Sequence, residues 1–145
     1  MFVKEILDQK SKDLWTISPD ASVYDALKLM ADKGVGALVV LGKEDVVGII
    51  SERDYARKII LHGKVSRDTP VREIMSTQVY GVHLDTTVEE CMSIMTDKRF
   101  RHLPVCEDGK VVGVVSIGDI VKAIIGQQKV AIAHLEGYIM GKYPG

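Results

Sequence analysis

Apolar residues at Val23, Ala26, Leu27 and Met30 keep the spacing of one helical face, and the same spacing returns at Val88, Cys91, Met92 and Met95. Ser22 with Asp25 precedes the first set and Thr87 with Glu90 the second, both at the spacing of a capping box. Gly34 can end the first helix in a left-handed conformation, at a position held by Arg99 in the second. Short β-branched stretches at residues 15–17 and 79–82 precede the helices and read as strands or extended segments. Each helix is followed by two apolar runs, residues 37–41 with 46–50 and residues 103–106 with 111–115. The breaks between them carry turn residues, Asp108-Gly109 among them, so each pair reads as a hairpin. Because the runs are apolar at nearly every position, both faces of each sheet should be covered. A last helix begins at Ser51 and again at Ser116, the first of the two ending at Gly63.

The two sets of elements are copies. Residues 46–54, V-V-G-I-I-S-E-R-D, return as V-V-G-V-V-S-I-G-D at residues 111–119, a displacement of 65 that holds without a gap from about residue 17 to residue 60. A shorter echo precedes each copy, V-K-E-I-L at residues 3–7 and V-R-E-I-M at residues 71–75. Self-similarity at a fixed period marks a duplicated structural unit. A β-α-β-β-α order in duplicate predicts an α/β (α+β) fold, two small sheets with their helices packed together in pseudo-two-fold symmetry. In a chain of 145 residues, one unit is too small to stand alone, and the two should share a core. The first repeat with its N-terminal helix is expected over residues 1–65, the second with a linker helix over 66–126, and a helical tail over 127–145. Residues 67–70, R-D-T-P, read as a linker ending in an N-cap with proline at the first helical position. In the tail, Ile132, Leu135 and Ile139 share a helical face over residues 127–140, which suits packing or dimerisation.

Composition narrows the function. With 46% hydrophobic residues, 27% charged residues and a net charge of −1, the chain is that of a globular protein with no global attraction to nucleic acid or acidic lipid. No apolar run reaches the roughly 18 residues of a membrane span. The first five residues lack the apolar core of a secretory signal, so the cytoplasm is the expected location. Cys91 and Cys106 have no Cys-x-x-Cys partner and no histidine at ligand spacing, and read as buried free thiols. The four histidines are scattered, and neither Ser51 nor Ser116 lies in a Gly-x-Ser-x-Gly elbow, so no enzyme and no metal site is expected.

What remains is the repeated signature: glycine, two aliphatics, serine, two variable residues, aspartate. As structure, Ser51 and Ser116 are helix N-caps with Asp54 and Asp119 at the third helical position. As chemistry, a helix start offers amide donors and a positive dipole end to a phosphate, while a carboxylate beside it can accept both hydroxyls of a ribose. Each such bond to an ionised carboxylate contributes roughly 1.5–3 kcal/mol. Serine, amides and aspartate at one turn therefore suit a nucleoside phosphate.

Carried by this duplicated signature in register with the whole element pattern, the chain from about Val3 to Ile125 resembles a tandem pair of cystathionine-β-synthase (CBS) domains, a Bateman module. The resemblance implies two pseudo-symmetric clefts between the repeats that bind adenosine-containing ligands such as AMP, ATP or NAD(H), with S-adenosylmethionine as an alternative. It also implies a regulatory module that forms a homodimer and is read by a protein partner. On this sequence, one cleft would use Ser116, Gly118 and Asp119 with Thr16, Ile17, Val35, Gly36 and Ala37. The other would use Ser51, Arg53 and Asp54 with Tyr80, Gly81, Val82 and Phe100. Arg101 and His102 match positions that reach phosphates in similar modules, near the pseudo-axis.

The copies differ at two places that bear on binding. Residues 33–37, K-G-V-G-A, become K-R-F-R-H at 98–102, and Arg53 faces Gly118 in the alignment. An arginine inside the signature can fork onto a phosphate. The Arg53 cleft is therefore expected to suit a longer ligand such as NAD(H) or ATP, and the Gly118 cleft a compact one such as AMP. The rival reading is a structural or protein-interaction module with empty clefts.

Overall fold

A computed structural model describes residues 1–10, 14–43 and 45–139, with Tyr138 and Ile139 described through their backbone only. In chain order the first repeat contains β1 (Thr16–Ile17), α2 (Val23–Lys33), β2 (Ala37–Leu41), β3 (Val46–Ser51) and α3 (Glu52–Asp54), preceded by α1 (Val3–Gln9). The second contains α4 (Val88–Lys98), β4 (His102–Glu107), β5 (Lys110–Ser116) and α5 (Ile117–Ile139), preceded by a 3-10 turn at Val71–Glu73. The Ser22 and Thr87 hydroxyls accept the amides of Asp25 and Glu90 at 3.1 Å, a cap that contributes about 1 kcal/mol. Both capped helices close on a left-handed residue, Gly34 at φ 66 and Arg99 at φ 58. Glycine takes that conformation without a steric cost, and arginine does not.

In the first sheet β1 runs parallel to β2, which pairs antiparallel with β3. In the second, β4 and β5 form the hairpin, and the segment at residues 79–82 keeps a single parallel bridge, Val82 to Val105. The copies agree down to a register irregularity between Val40 and Leu41 and its counterpart between Val105 and Cys106. Asp108 and Gly109 both take positive φ, 51 and 77, as the tight turn of a two-residue hairpin requires.

The packing crosses the sequence division at residue 65. Val71 and Ile74, from the linker, complete the core built on Val23, Ala26, Met30, Leu38 and Ile50. Val3 and Ile6, from α1, complete the core built on Val88, Cys91, Met95, Leu103 and Val115. The hydrogen bonds match: Val71 N donates to Ala21 O and Val3 N to Thr86 O, both at 2.8 Å. This exchange explains the signature glycine. A Cβ at Gly48 would stand 2.7 Å from Ser76 O and 3.0 Å from Met75 Sδ, and one at Gly113 would stand 3.0 Å from Leu7 Cδ1. Leu7 and Met75 end the two echoed segments, so close approach of the exchanged segment demands the glycine.

Three local expectations change. Pro70 is itself the N-cap of the linker turn, because the Thr69 hydroxyl donates to Val65 O at 2.8 Å instead of capping. The helix after α3 widens into π turns over Tyr55–Ile60 and closes at Gly63, which has φ 66. By contrast α5 runs unbroken for 23 residues, so the tail helix is the continuation of the second repeat's last helix. Ile132 and Leu135 are exposed on it, while Met140 and the Ile139 side chain lie outside the described residues. Among the described residues, no helix is long and apolar enough to cross a membrane.

Candidate functional site

Both signature turns close as reciprocal caps. Ser116 N donates to Asp119 Oδ2 at 2.8 Å and Asp119 N to Ser116 Oγ at 3.1 Å. Ser51 N donates to Asp54 Oδ2 at 2.9 Å and Asp54 N to Ser51 Oγ at 3.3 Å. The first helical amides are taken as well, Glu52 N by Gly36 O and Ile117 N by Arg101 O. The amide supply expected for a phosphate thus narrows to the second position of each helix, Arg53 and Gly118. The capping role of the serines and aspartates is real in both copies, and it leaves carboxylate lone pairs for other work.

The carboxylates meet different cations. Asp119 Oδ2 also accepts from Lys10 Nζ at 2.7 Å, and Lys10 donates to Val114 O at 3.0 Å. Asp54 Oδ1 lies 3.4 Å from Lys58 Nζ, on its own helix, and accepts from Ser76 Oγ at 3.4 Å. The Asp54 side chain is 12% exposed and that of Asp119 21%. Among the described residues, no hydrogen bond reaches Asp119 Oδ1, whereas both oxygens of Asp54 are engaged.

A cavity of about 780 Å³ opens at Asp119. It brings together six of the sequence-derived site residues: Val35, Gly36, Ala37, His102, Ser116 and Asp119. Thr16, Ile17 and Gly118 belong to neighbouring backbone and are not wall residues. Among the walls that the sequence did not mark as site residues are Trp15, Lys33 and Lys10. Lys33 Nζ sits 4.4 Å from the centre of the Trp15 ring, and Lys98 Nζ 5.5 Å from that of Tyr80. These pairs lie 65 residues apart, so the repeat itself contained the signal. A second cavity of about 570 Å³ lies between α1 and α5 and shares Lys10 and Asp119 with the first.

Neither cavity is lined by Ser51, Arg53, Asp54, Tyr80, Gly81, Val82, Phe100 or Arg101. Val82 is buried at its bridge, Phe100 packs on the second core, and Tyr80 and Arg101 are exposed. Partial desolvation, then the charges of Arg101 and Arg57, lower the Arg53 guanidinium from its usual value, with Asp54 opposing. The Asp54 end is therefore crowded with arginine.

Burial holds His102 below the usual imidazole value; Asp119 and Asp54 pull it up, while Lys10 and Arg101 push it down. Both signature aspartates thus act on one histidine. Burial would raise the Asp119 carboxyl, but the hydrogen bonds from Lys10 and the Ser116 amide, with the Lys10 charge, bring it below its ordinary value. Cys91 is buried and Cys106 partly so, both free, and burial followed by Glu90 pushes the Cys91 thiol up to about 11. Among the described residues, no cluster of His, Cys, Asp or Glu suits a metal ion.

Comparison with known proteins agrees with this architecture. The CBS domain family profile matches residues 3–61 and 71–126. CBS domain-containing protein CBSX3, mitochondrial, of Arabidopsis thaliana is 40% identical over 151 aligned positions, which span 97% of this chain and 73% of the relative. The structure of a candidate signal-transduction protein with CBS domains from Burkholderia ambifaria MC40-6 superposes with a TM-score of 0.83 at 46% identity, covering 88% of this chain and 96% of that one. A CBS-domain containing protein of Agrobacterium tumefaciens gives 0.79 at 39% identity, covering 85% and 98%. A hexameric CBS-CP12 protein from bloom-forming cyanobacteria gives 0.76 at 28% identity, covering 83% and 69%. With the signature duplicated, the two cores exchanging their leading helices and the profile matching both halves, the chain belongs to the CBS-domain family as a tandem pair of repeats.

Proposed function

We propose that the chain is a regulatory sensor that binds adenosine-containing ligands in two non-equivalent clefts, the one at Asp119 being the more open. The observation that carries this reading is the cavity at Asp119, where a carboxylate, a capping serine, an aromatic ring and a lysine converge on one space. Its size is that of a small-molecule pocket. Asp119 supplies acceptors for ribose hydroxyls, and Trp15 supplies an apolar ring for a base. Val35, Gly36 and Ala37 line the same space. At the other end, the arginines around Asp54 favour a ligand with more negative charge, ATP or NAD(H) over AMP. The exposed Val121, Ile125, Ile132 and Leu135 of α5 support association of two copies, through which occupancy is passed to a protein partner.

Trp15 is the chain's single tryptophan and lines the Asp119 cavity, so its fluorescence reports that cleft. Titration with AMP, ATP, NAD(H) and S-adenosylmethionine should give a saturable change for at least one of them. At 100 times its dissociation constant, that ligand should stabilise the fold by about 2.7 kcal/mol in thermal unfolding. Asp119→Ala should abolish the fluorescence change, and Asp54→Ala should leave it in place. The rival reading, an interaction module with empty clefts, is supported by the caps that already employ both aspartates. It wins if no adenine compound shifts either signal.

A further inference from the structure

We propose that Lys10 reads ligand charge in the Asp119 cleft, so that this cleft takes a phosphorylated nucleoside in preference to the same nucleoside without phosphate. The inference rests on the nucleotide reading above and adds the residue that selects within it. Lys10 follows α1 on the exchanged N-terminal segment, 109 residues from the carboxylate it holds. In the other copy the same contact with the signature strand is made by a residue of a different sequence position, Ser76, which aligns with Asp8. There the carbonyl of Ile49 accepts the backbone amide of Ser76 at 2.8 Å, and Ser76 Oγ reaches Asp54. Here the equivalent carbonyl, Val114, accepts the Lys10 ammonium at 3.0 Å, and the same ammonium reaches Asp119. A backbone bridge cannot leave without unpairing a strand. A lysine side chain, 39% exposed, can swing away at the cost of one partly screened ion pair.

The charges around the cavity give that movement a direction. Among the described residues, the walls carry three carboxylates, Asp8, Asp32 and Asp119, against two ammonium groups, Lys10 and Lys33. Lys33 is stacked on the Trp15 ring, which leaves Lys10, among the described residues, as the wall cation at the aspartate end. His102 contributes little charge near neutrality, because burial disfavours its protonated form. A ribose held by Asp119 carries its 5′ substituent within the swing of a lysine side chain. If that substituent is a phosphate, Lys10 gains a charge-assisted partner and offsets the repulsion of the carboxylates. If it is a hydroxyl, Lys10 gains nothing. With Lys10 removed, the walls are acidic and the preference should invert toward neutral or cationic ligands.

The test is Trp15 fluorescence titration with AMP and with adenosine, in the wild-type chain, Lys10→Met, Lys10→Gln and Lys10→Arg. The wild-type chain should bind AMP about tenfold more tightly than adenosine, equivalent to ~1.4 kcal/mol, and the ratio should shrink with added salt. Lys10→Met should bring the ratio to one or below, with adenosine affinity kept, and Lys10→Arg should restore most of it. Should the methionine variant fail to fold, the glutamine variant serves in its place. A pair with only a structural role would lower the melting temperature and weaken both ligands by one factor, leaving the ratio unchanged, and that outcome overturns the proposal alone. Absence of binding by both compounds to the wild-type chain would overturn the nucleotide reading at this cleft, and the Lys10 assignment with it.

Discussion

The Asp54 and Asp119 ends of the molecule carry the same signature on the same strand-to-helix turn, yet one is fastened and the other is poised. At Asp54, the exchanged segment is tied by a two-way backbone bridge between Ser76 and Ile49, and both carboxylate oxygens are engaged. At Asp119, among the described residues, a side chain does the tying, and a cavity opens beside the carboxylate. Duplication preserved the element that folds, and divergence acted on how tightly it is closed. A motif match by itself therefore does not make two sites equal.

The largest effect should separate the two glycines. Gly48→Ala drives a methyl into the Ser76 carbonyl, a backbone atom, and should cost about 2–3 kcal/mol in urea unfolding. Gly113→Ala meets only the end of the Leu7 side chain and should cost about 1 kcal/mol or less. Equal losses would mean that the two segments are held alike. Next come the aspartates: Asp54→Ala removes a buried acceptor from Ser51 and Ser76 and should cost about 2 kcal/mol. Asp119→Ala breaks a partly exposed pair and should cost under about 1 kcal/mol while removing ligand binding.

Smaller shifts are expected at the helix ends. Gly34→Ala forces a side chain into the left-handed region and should destabilise by about 1 kcal/mol. Arg99→Gly relieves the same conformation in the second copy and should stabilise by about 0.5–1 kcal/mol, less what the freer unfolded chain takes back. Differential scanning calorimetry reads both. The smallest effect is a pH dependence centred on the poised end. A histidine whose folded value lies below 6.5 binds fewer protons folded than unfolded, so its share of stability is present above 6.5 and lost as pH falls toward the lowered value. Asp119 follows at lower pH: its depressed carboxyl contributes stability above 3.8 that is lost as pH falls further, through its folded value. The urea midpoint should fall between pH 7 and pH 5, and His102→Ala, which copies Ala37, should flatten that slope.

Much of the fold was legible from local pattern. The caps at Ser22 and Thr87, the helix-ending Gly34, the Asp108-Gly109 turn and the strand boundaries follow from interactions within a few residues, which the sequence displays directly. Of the residues that line the cavity, Ser116 and Asp119 were legible in the duplicated signature, while the Val35 to Ala37 loop and His102 were named only through the family resemblance. Lys10 was not, since a pairing across 109 residues leaves no periodic trace. Pro70 was misplaced by one position because Thr69, itself buried, turned its hydroxyl to Val65.

The sequence by itself determined that this protein is built twice from one unit, which faces are apolar, and where a carboxylate would sit at a helix start. Those are consequences of spacing, and spacing is read along the chain. Only the tertiary structure decided which repeat receives α1 and which lysine meets which aspartate. It also decided that, among the described residues, one signature turn is sealed by backbone while the other is held by a side chain. The physical reason is that near-identical local segments were completed by different distant ones. Ser76 brought an amide and Lys10 an ammonium, and only the ammonium can let go without undoing the strand.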